Sequence, residues 1–116
     1  MLTINTEYKK GIMFVRLKGE LTKDTYYKLD KKVTNKIENL GINNLVFNVT
    51  NLKFIDYKGI YKLLYNYEIV KKNKGRVLLC GNNLKICNKL KKCRLLNYIK
   101  EIKDELYAIK IFKIGW

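Results

Sequence analysis

The sequence predicts an α/β fold, a mixed, mostly parallel sheet with interspersed helices, forming one domain over residues 1–116. Two observations carry that prediction. Short apolar runs rich in β-branched and aromatic residues (residues 12–17, 45–49 and 77–80) alternate with stretches whose apolar residues recur at helical spacing. Crossovers of helical length between successive strands imply parallel pairing with right-handed connections. No composition shift marks a linker and no segment repeats, and 116 residues suffice to bury one core without disulfides or metal.

The chain opens with residues 2–8, where Leu2, Ile4, Thr6 and Tyr8 alternate onto one face. Lys9-Lys10-Gly11 turns it into residues 12–17, where Ile12, Phe14 and Arg16 alternate with Met13, Val15 and Leu17. This second strand is the more apolar and therefore the more central. Gly19-Glu20-Leu21-Thr22 ends it. Thr22 is placed to cap a helix, with Asp24 in the first turn, where the helix dipole favours a negative charge. Leu29, Val33, Ile37 and Leu40 then recur at helical spacing until Gly41 supplies the stop.

The central unit follows. Leu45, Val46, Phe47 and Val49 suit a strand buried on both faces. Ile60, Leu63, Leu64, Tyr67 and Val70 follow the spacing of a helix with one face in the core. Between them, Asp56 is an N-cap whose carboxylate can accept from the free N–H groups of Lys58 and Gly59. Residues 56–59 therefore lie outside the carboxyl end of a parallel strand, where open α/β sheets usually carry their sites. Lys53 and Lys58, beside the free N–H groups of the helix start, make this loop attractive to anions, a docking site for an acidic partner surface or a phosphate.

Asn73-Lys74-Gly75 is a turn and residues 77–80 are a third buried strand of parallel type. Gly81-Asn82-Asn83 opens a short helix with Leu84, Cys87 and Leu90 inward and Lys85, Lys89, Lys91 and Lys92 outward. Residues 95–99 re-enter the core, and residues 99–102 read as a brief edge strand. Asp104 caps a last helix with Leu106, Ile109 and either Phe112 or Lys113 on one side. The apolar end, residues 111–116, either packs back on the domain, the favoured reading, or forms a contact surface.

Phe54-Ile55-Asp56-Tyr57-Lys58-Gly59-Ile60 resembles the Asp-Ser-Ser/Thr-Gly-Leu loop of STAS domains, the anti-sigma factor antagonists that capture anti-sigma kinases. Gly19-Glu20-Leu21-Thr22 resembles that family's Gly-Glu-Leu-Asp turn, with Thr22 in place of the aspartate. A Gly-x-Val-Leu-Leu-Cys-Gly strand and an Asp-Glu-Leu-x-Ala helix follow in the family's order. The resemblance covers nearly the whole chain and implies a STAS-type fold. It also implies a protein partner, an anti-sigma factor of the serine-kinase type, bound through Asp56, Tyr57, Lys58 and Gly59 with Glu20 and Thr22 beside them. In that family the serine after the aspartate is phosphorylated, which abolishes binding. Tyr57 holds that position here and the chain has no serine, so the resemblance implies a binder whose Tyr57 is not modified by a serine kinase.

Other classes have less support. The formal charge of +15, from 25 Lys+Arg against 10 Asp+Glu, would ordinarily raise nucleic acid as a partner. Lysines occur all along the chain, however, and the abundance of Lys, Asn, Ile and Tyr fits a genome poor in G and C. With no His, no Ser and no glycine-rich phosphate loop, the nucleophiles and bases of an enzyme would have to be Cys, Asp, Glu, Lys or Tyr, and Asp30, Asp56 and Asp104 are each better explained as a surface charge or a cap. Cys80, Cys87 and Cys93 have no metal-site spacing, so no metal or cofactor is expected. Neither a spanning segment nor a signal peptide is evident, which places the protein in the cytoplasm. The alternatives are a STAS-like scaffold that self-associates, for example as a homodimer, and a basic nucleic-acid binder.

Overall fold

Strands β1 (Leu2–Lys9) and β2 (Ile12–Leu21) pair antiparallel through a tight turn at Lys10 and Gly11, whose φ angles of 54° and 75° match the twist of a hairpin. β2 then pairs parallel with β3 (Asn44–Ile55), β3 with β4 (Arg76–Cys80), and β4 with the two-residue β5 (Lys100–Glu101). The five strands lie in the order β1-β2-β3-β4-β5. This computed structural model describes residues 1–114; Gly115 and Trp116, part of the end expected to pack back, lie outside the described residues. Of the rest of that end, Ile111 is buried, Phe112 is half-buried, and Lys113 and Ile114 are exposed.

The helices are α1 (Tyr26–Leu29), α2 (Asn35–Leu40), α3 (Tyr57–Lys72), α4 (Leu84–Lys92) and α5 (Glu105–Ile114). A π-helical turn, Asp30–Thr34, joins α1 to α2. It places the buried Thr34 where its hydroxyl donates to Asn66 Oδ1 of α3 at 2.8 Å, satisfying two polar groups inside the helix layer. Leu29, Val33, Ile37, Ile60, Leu63, Val70, Ile86 and Leu90 pack on one face of the sheet with Leu45, Phe47 and Val49. On the other face Ala108 and Ile111 of α5 meet Ile12, Phe14, Val46, Leu78 and Cys80. The first half of β3, Leu45 to Val49, is thus covered from both sides, as its composition predicts, while Thr50, Asn51, Lys53 and Phe54 beyond it are exposed.

α5 is also held by charge. The Arg16 guanidinium of β2 grips Glu105 with two bonds of 2.7 and 2.8 Å, Asn48 Nδ2 donates to the same carboxylate at 2.8 Å, and Glu7 and Asn5 each accept a further guanidinium N–H. At the free edge of β1, Lys28 Nζ donates to the Leu2 carbonyl at 3.1 Å and Lys32 Nζ to that of Ile4 at 3.2 Å.

Several details depart from the sequence reading. β2 does not stop at Leu17 but runs to Leu21, because β3 extends beyond its apolar run and offers it partners; Gly19, at φ +104°, and two register shifts absorb the irregularity. The regular first helix begins at Tyr26, after a turn in which the Thr22 N–H is taken by Thr25 Oγ1 at 2.9 Å and Thr22 Oγ1 accepts from Asp24 N–H. Leu40, Leu84 and Leu106 are exposed rather than inward. The last turn of α2 leaves the sheet and Ile42 takes the core position, while Leu84 and Leu106 lie at the starts of short helices anchored by Ile86, Cys87, Ala108 and Ile111.

Candidate functional site

The carboxyl ends of β2 and β3 meet at the pair Leu21 and Ile55, and the chain leaves both strands there. The Asp56 N–H donates to the Leu21 carbonyl at 3.2 Å, which holds the second loop against the first. Asp56 then caps α3. One carboxylate oxygen accepts from Gly59 N–H at 2.9 Å and the other from Lys23 N–H at 2.9 Å. The cap therefore serves its own helix and the turn after Glu20-Leu21-Thr22 together. Partial burial works to raise the Asp56 pKa, but the N–H groups of Gly59, Lys23 and Lys58 and the charge of Lys89 overcome it and hold the carboxyl below its ordinary value.

Gly59 is required by this junction. A Cβ there would overlap the Leu21 carbonyl oxygen and lie 2.8 Å from Ile55 Cγ1. Only glycine lets α3 start so close to the end of β2. The two residues between cap and glycine face outward: Tyr57 is 79% exposed, and Lys58 is exposed with its Nζ 5.4 Å from the centre of the Tyr26 ring and 6.0 Å from that of Tyr61.

The structure thus brings Thr22, Lys23, Asp56, Tyr57 and Lys58 into one surface, whereas Gly59 is buried beneath it against Leu21. Glu20 pairs in register with Phe54, is exposed, and its carbonyl accepts from Thr25 Oγ1 at 2.7 Å. Lys53 is exposed on β3, but the cation that reaches the strand end is Lys89 of α4, read from sequence as outward. Its Nζ donates to the Ile55 carbonyl and lies 4.7 Å from the Phe54 ring centre. Asn83 seats α4 for this by donating to the Val49 and Leu52 carbonyls, each at 2.8 Å.

The sequence reading also missed an aromatic stripe. Tyr57, Tyr61 and Tyr65 recur every four residues along α3, and Tyr61 and Tyr65 stack at 6.4 Å between ring centres. Lys62 Nζ lies 4.8 Å from the Tyr26 ring centre and 5.2 Å from that of Tyr65, and pairs with Asp30 at 3.1 Å. The four-residue spacing was the available signal. In contrast, a groove of 430 Å³ lined by Thr6, Tyr8, Met13, Lys36, Leu40 and Ile42 lies near the start of β3, at the other end of the sheet. Among the described residues, no helix is long and apolar enough to cross a membrane, and no group of three or more His, Cys, Asp or Glu could hold a metal ion.

Comparison with known proteins agrees with this architecture. The chain is 28% identical over 82 residues to an anti-sigma F factor antagonist from Paenibacillus polymyxa, covering 71% of this chain and 70% of the relative. Among solved structures, an anti-sigma factor antagonist from Mycobacterium paratuberculosis superposes with a TM-score of 0.84 at 17% identity, over 95% of this chain and 92% of that one. The anti-sigma factor antagonist SpoIIAA in its unphosphorylated form superposes with a TM-score of 0.75 at 16% identity, over the full length of both. Phosphorylated SpoIIAA from Bacillus matches at 0.73 and 17% identity, over 99% of this chain and 100% of that one. The model of the STAS domain matches residues 3–109, and with the sheet order, the capped loop and the buried glycine in place, the chain belongs to the STAS domain family.

Proposed function

We propose that this protein is a non-enzymatic, cytoplasmic partner-binding module that engages an anti-sigma factor of the serine-kinase type through the surface of Thr22, Asp56, Tyr57 and Lys58, with the buried Gly59 setting the loop beneath them and Glu20 and Lys53 at its margin, and that it does so without a serine switch. The observation that carries the reading is the position of Tyr57. It is the first residue of α3, directly after the cap, and is 79% exposed, so it projects from the loop that Asp56 fixes to the neighbouring turn.

A serine at this place would present its hydroxyl close to the backbone. Tyr57 carries its hydroxyl about one ring-length further out, and Lys58 adds a cation beside it. Phosphate on a contact surface acts by adding nearly two negative charges, which repel or desolvate a partner. A kinase shaped for a serine directly after the cap finds no such acceptor at that position, and the chain has no serine elsewhere. The short hydroxyl in this surface, that of Thr22, accepts from Asp24 N–H on the adjoining turn. The partner is therefore held constitutively, and the protein acts as a competitor that phosphorylation does not release.

The test is to mix the protein with the anti-sigma kinases of its own cell and ATP, then measure phosphate incorporation and complex lifetime. The expected result is a complex with one of them, no labelling, and a lifetime unchanged by ATP. Stoichiometric labelling of Tyr57 with release of the complex would show instead a switch that uses a new acceptor.

A further inference from the structure

We infer that the face formed by α1 and the N-terminal half of α3 docks a carboxylate-rich protein surface, so that the partner of this chain is recognised by its acidic groups. The inference rests on the partner-binding reading above and adds the partner's chemistry. Lysines occur all over this molecule, so charge alone does not single out a face. What does is their arrangement here. Lys58 and Lys62 lie between the rings of Tyr26, Tyr61 and Tyr65, and Lys31 lies 5.8 Å from the Tyr27 ring centre. Tyr27, Tyr57 and Tyr61 are exposed.

Lysines laid over aromatic rings are already partly ordered, so less side-chain freedom is lost when a partner arrives. Tyrosines on a helix add rigid contact area and a hydroxyl donor, the composition of an interface centre. A carboxylate can take hydrogen bonds from ammonium and phenol groups together. Of the acids on this face, Asp56 is spent on backbone N–H groups, Asp30 already pairs with Lys62, and Asp24 is exposed on the turn before α1, so a partner's carboxylate meets Lys58 without displacing Asp30.

The same arrangement argues against nucleic acid. Bases bind such surfaces by stacking on open ring faces, whereas here lysines lie over the rings and Tyr61 stacks on Tyr65. A membrane surface fits less well too, because interfacial helices present Trp, Phe and Leu for insertion, and the exposed side chains here are tyrosines.

The experiment maps backbone amide shifts of the isotopically labelled protein as a synthetic Glu/Asp-rich peptide is added at low salt. Shifts should concentrate at Tyr26, Tyr57, Lys58, Tyr61, Lys62 and Tyr65. Lys58→Glu should weaken binding about tenfold, the loss expected of a residue near the centre of a contact. Lys92→Glu, the same charge change on α4, should alter it less than about twofold, as for a charge outside the contact. Lys58→Glu places an acid in the first turn of α3, where the dipole favours it, so folding is not at risk. Equal losses from both variants, or shifts spread over lysines all round the molecule, would overturn the inference. Tighter binding of an oligothymidylate or of phosphatidylglycerol vesicles through these same residues would do so as well. If the peptide binds here while none of the cell's anti-sigma factors does, the acidic-surface inference stands and the anti-sigma reading falls. If an anti-sigma factor binds and neither Lys58→Glu nor Tyr61→Ala affects it, the reverse holds.

Discussion

Gly59 rests its Cα against the Leu21 carbonyl, with no room between them for a methyl group. The obstacle is backbone, held in turn by the Asp56 N–H, so it cannot rotate away. Gly59→Ala should therefore destabilise the protein by about 1–3 kcal/mol, the usual range for overpacking. Urea unfolding measures this directly; an unchanged midpoint would mean that α3 can shift at no cost.

Asp56→Ala removes the acceptor for Gly59 and Lys23 N–H groups at once. Loss of a cap costs about 0.5–2 kcal/mol, and the second bond places this variant toward the upper end. Hydrogen exchange should quicken at Lys23 as well as at Gly59. Protection lost at Gly59 alone would show that the bridge between the two loops is absent in solution.

Acid should weaken the same junction. The Asp56 carboxyl has a folded pKa below its unfolded value, so its ionised form stabilises the fold above the unfolded value of about 3.9. That contribution disappears as pH falls through the folded pKa. Wild type and Asp56→Asn should differ by a constant amount above about pH 5 and converge below about pH 4. A difference that grows on acidification would contradict the assignment.

Arg16 and Glu105 form the clamp on α5, and the guanidinium and the Asn48 amide lower the Glu105 pKa against the opposing effect of burial. Glu105→Ala leaves Arg16 its bonds to Glu7 and Asn5, so the cost should be about 1–2 kcal/mol, less than that of a fully orphaned charge. Faster amide exchange in α5 than in α3 would locate the effect. Uniform loss across the sheet would place it elsewhere.

The thiols should divide in two classes. Burial pushes Cys80 and Cys87 up to about 12, with the Glu101 hydrogen bond adding to the effect at Cys87. Cys93 is half-buried. One thiol should react with a disulfide reagent in the native protein and two more only on unfolding. Rapid reaction of all three would mean that α4 opens readily.

The strand, loop and capped helix around Asp56 were legible because each rests on a local rule: β-branched burial, a carboxylate at a helix start, a stripe at helical spacing. What the sequence concealed depended on neighbours. The apolar pattern of β2 lapses at Lys18 and Gly19, yet the strand continues because β3 supplies the ladder. Helices of 9 and 10 residues hold few apolar positions, so Leu84 and Leu106 could be assigned inward without contradiction. Lys89 was lost among many lysines, since nothing local distinguishes one that reaches across to Ile55. The tyrosines of α3 lie on an outward face, where core periodicity carries no information.

Lys28 and Lys32 have a consequence for how copies of this protein can meet. An edge strand with open carbonyls is a template on which another chain can extend the sheet, leading to swapped dimers or fibrils. Here the outward carbonyls of Leu2 and Ile4 already accept from lysines of the helix layer, and the opposite edge, β5, is only two residues long. An approaching strand would have to displace ammonium groups on one side and would find almost no ladder on the other. The start of β1 and the short β5 are thus closed to sheet extension, which leaves the second half of β1, from Thr6 to Lys9, as the stretch on which a second chain would pair, so any β-pairing driven by crowding or mild heating should begin there.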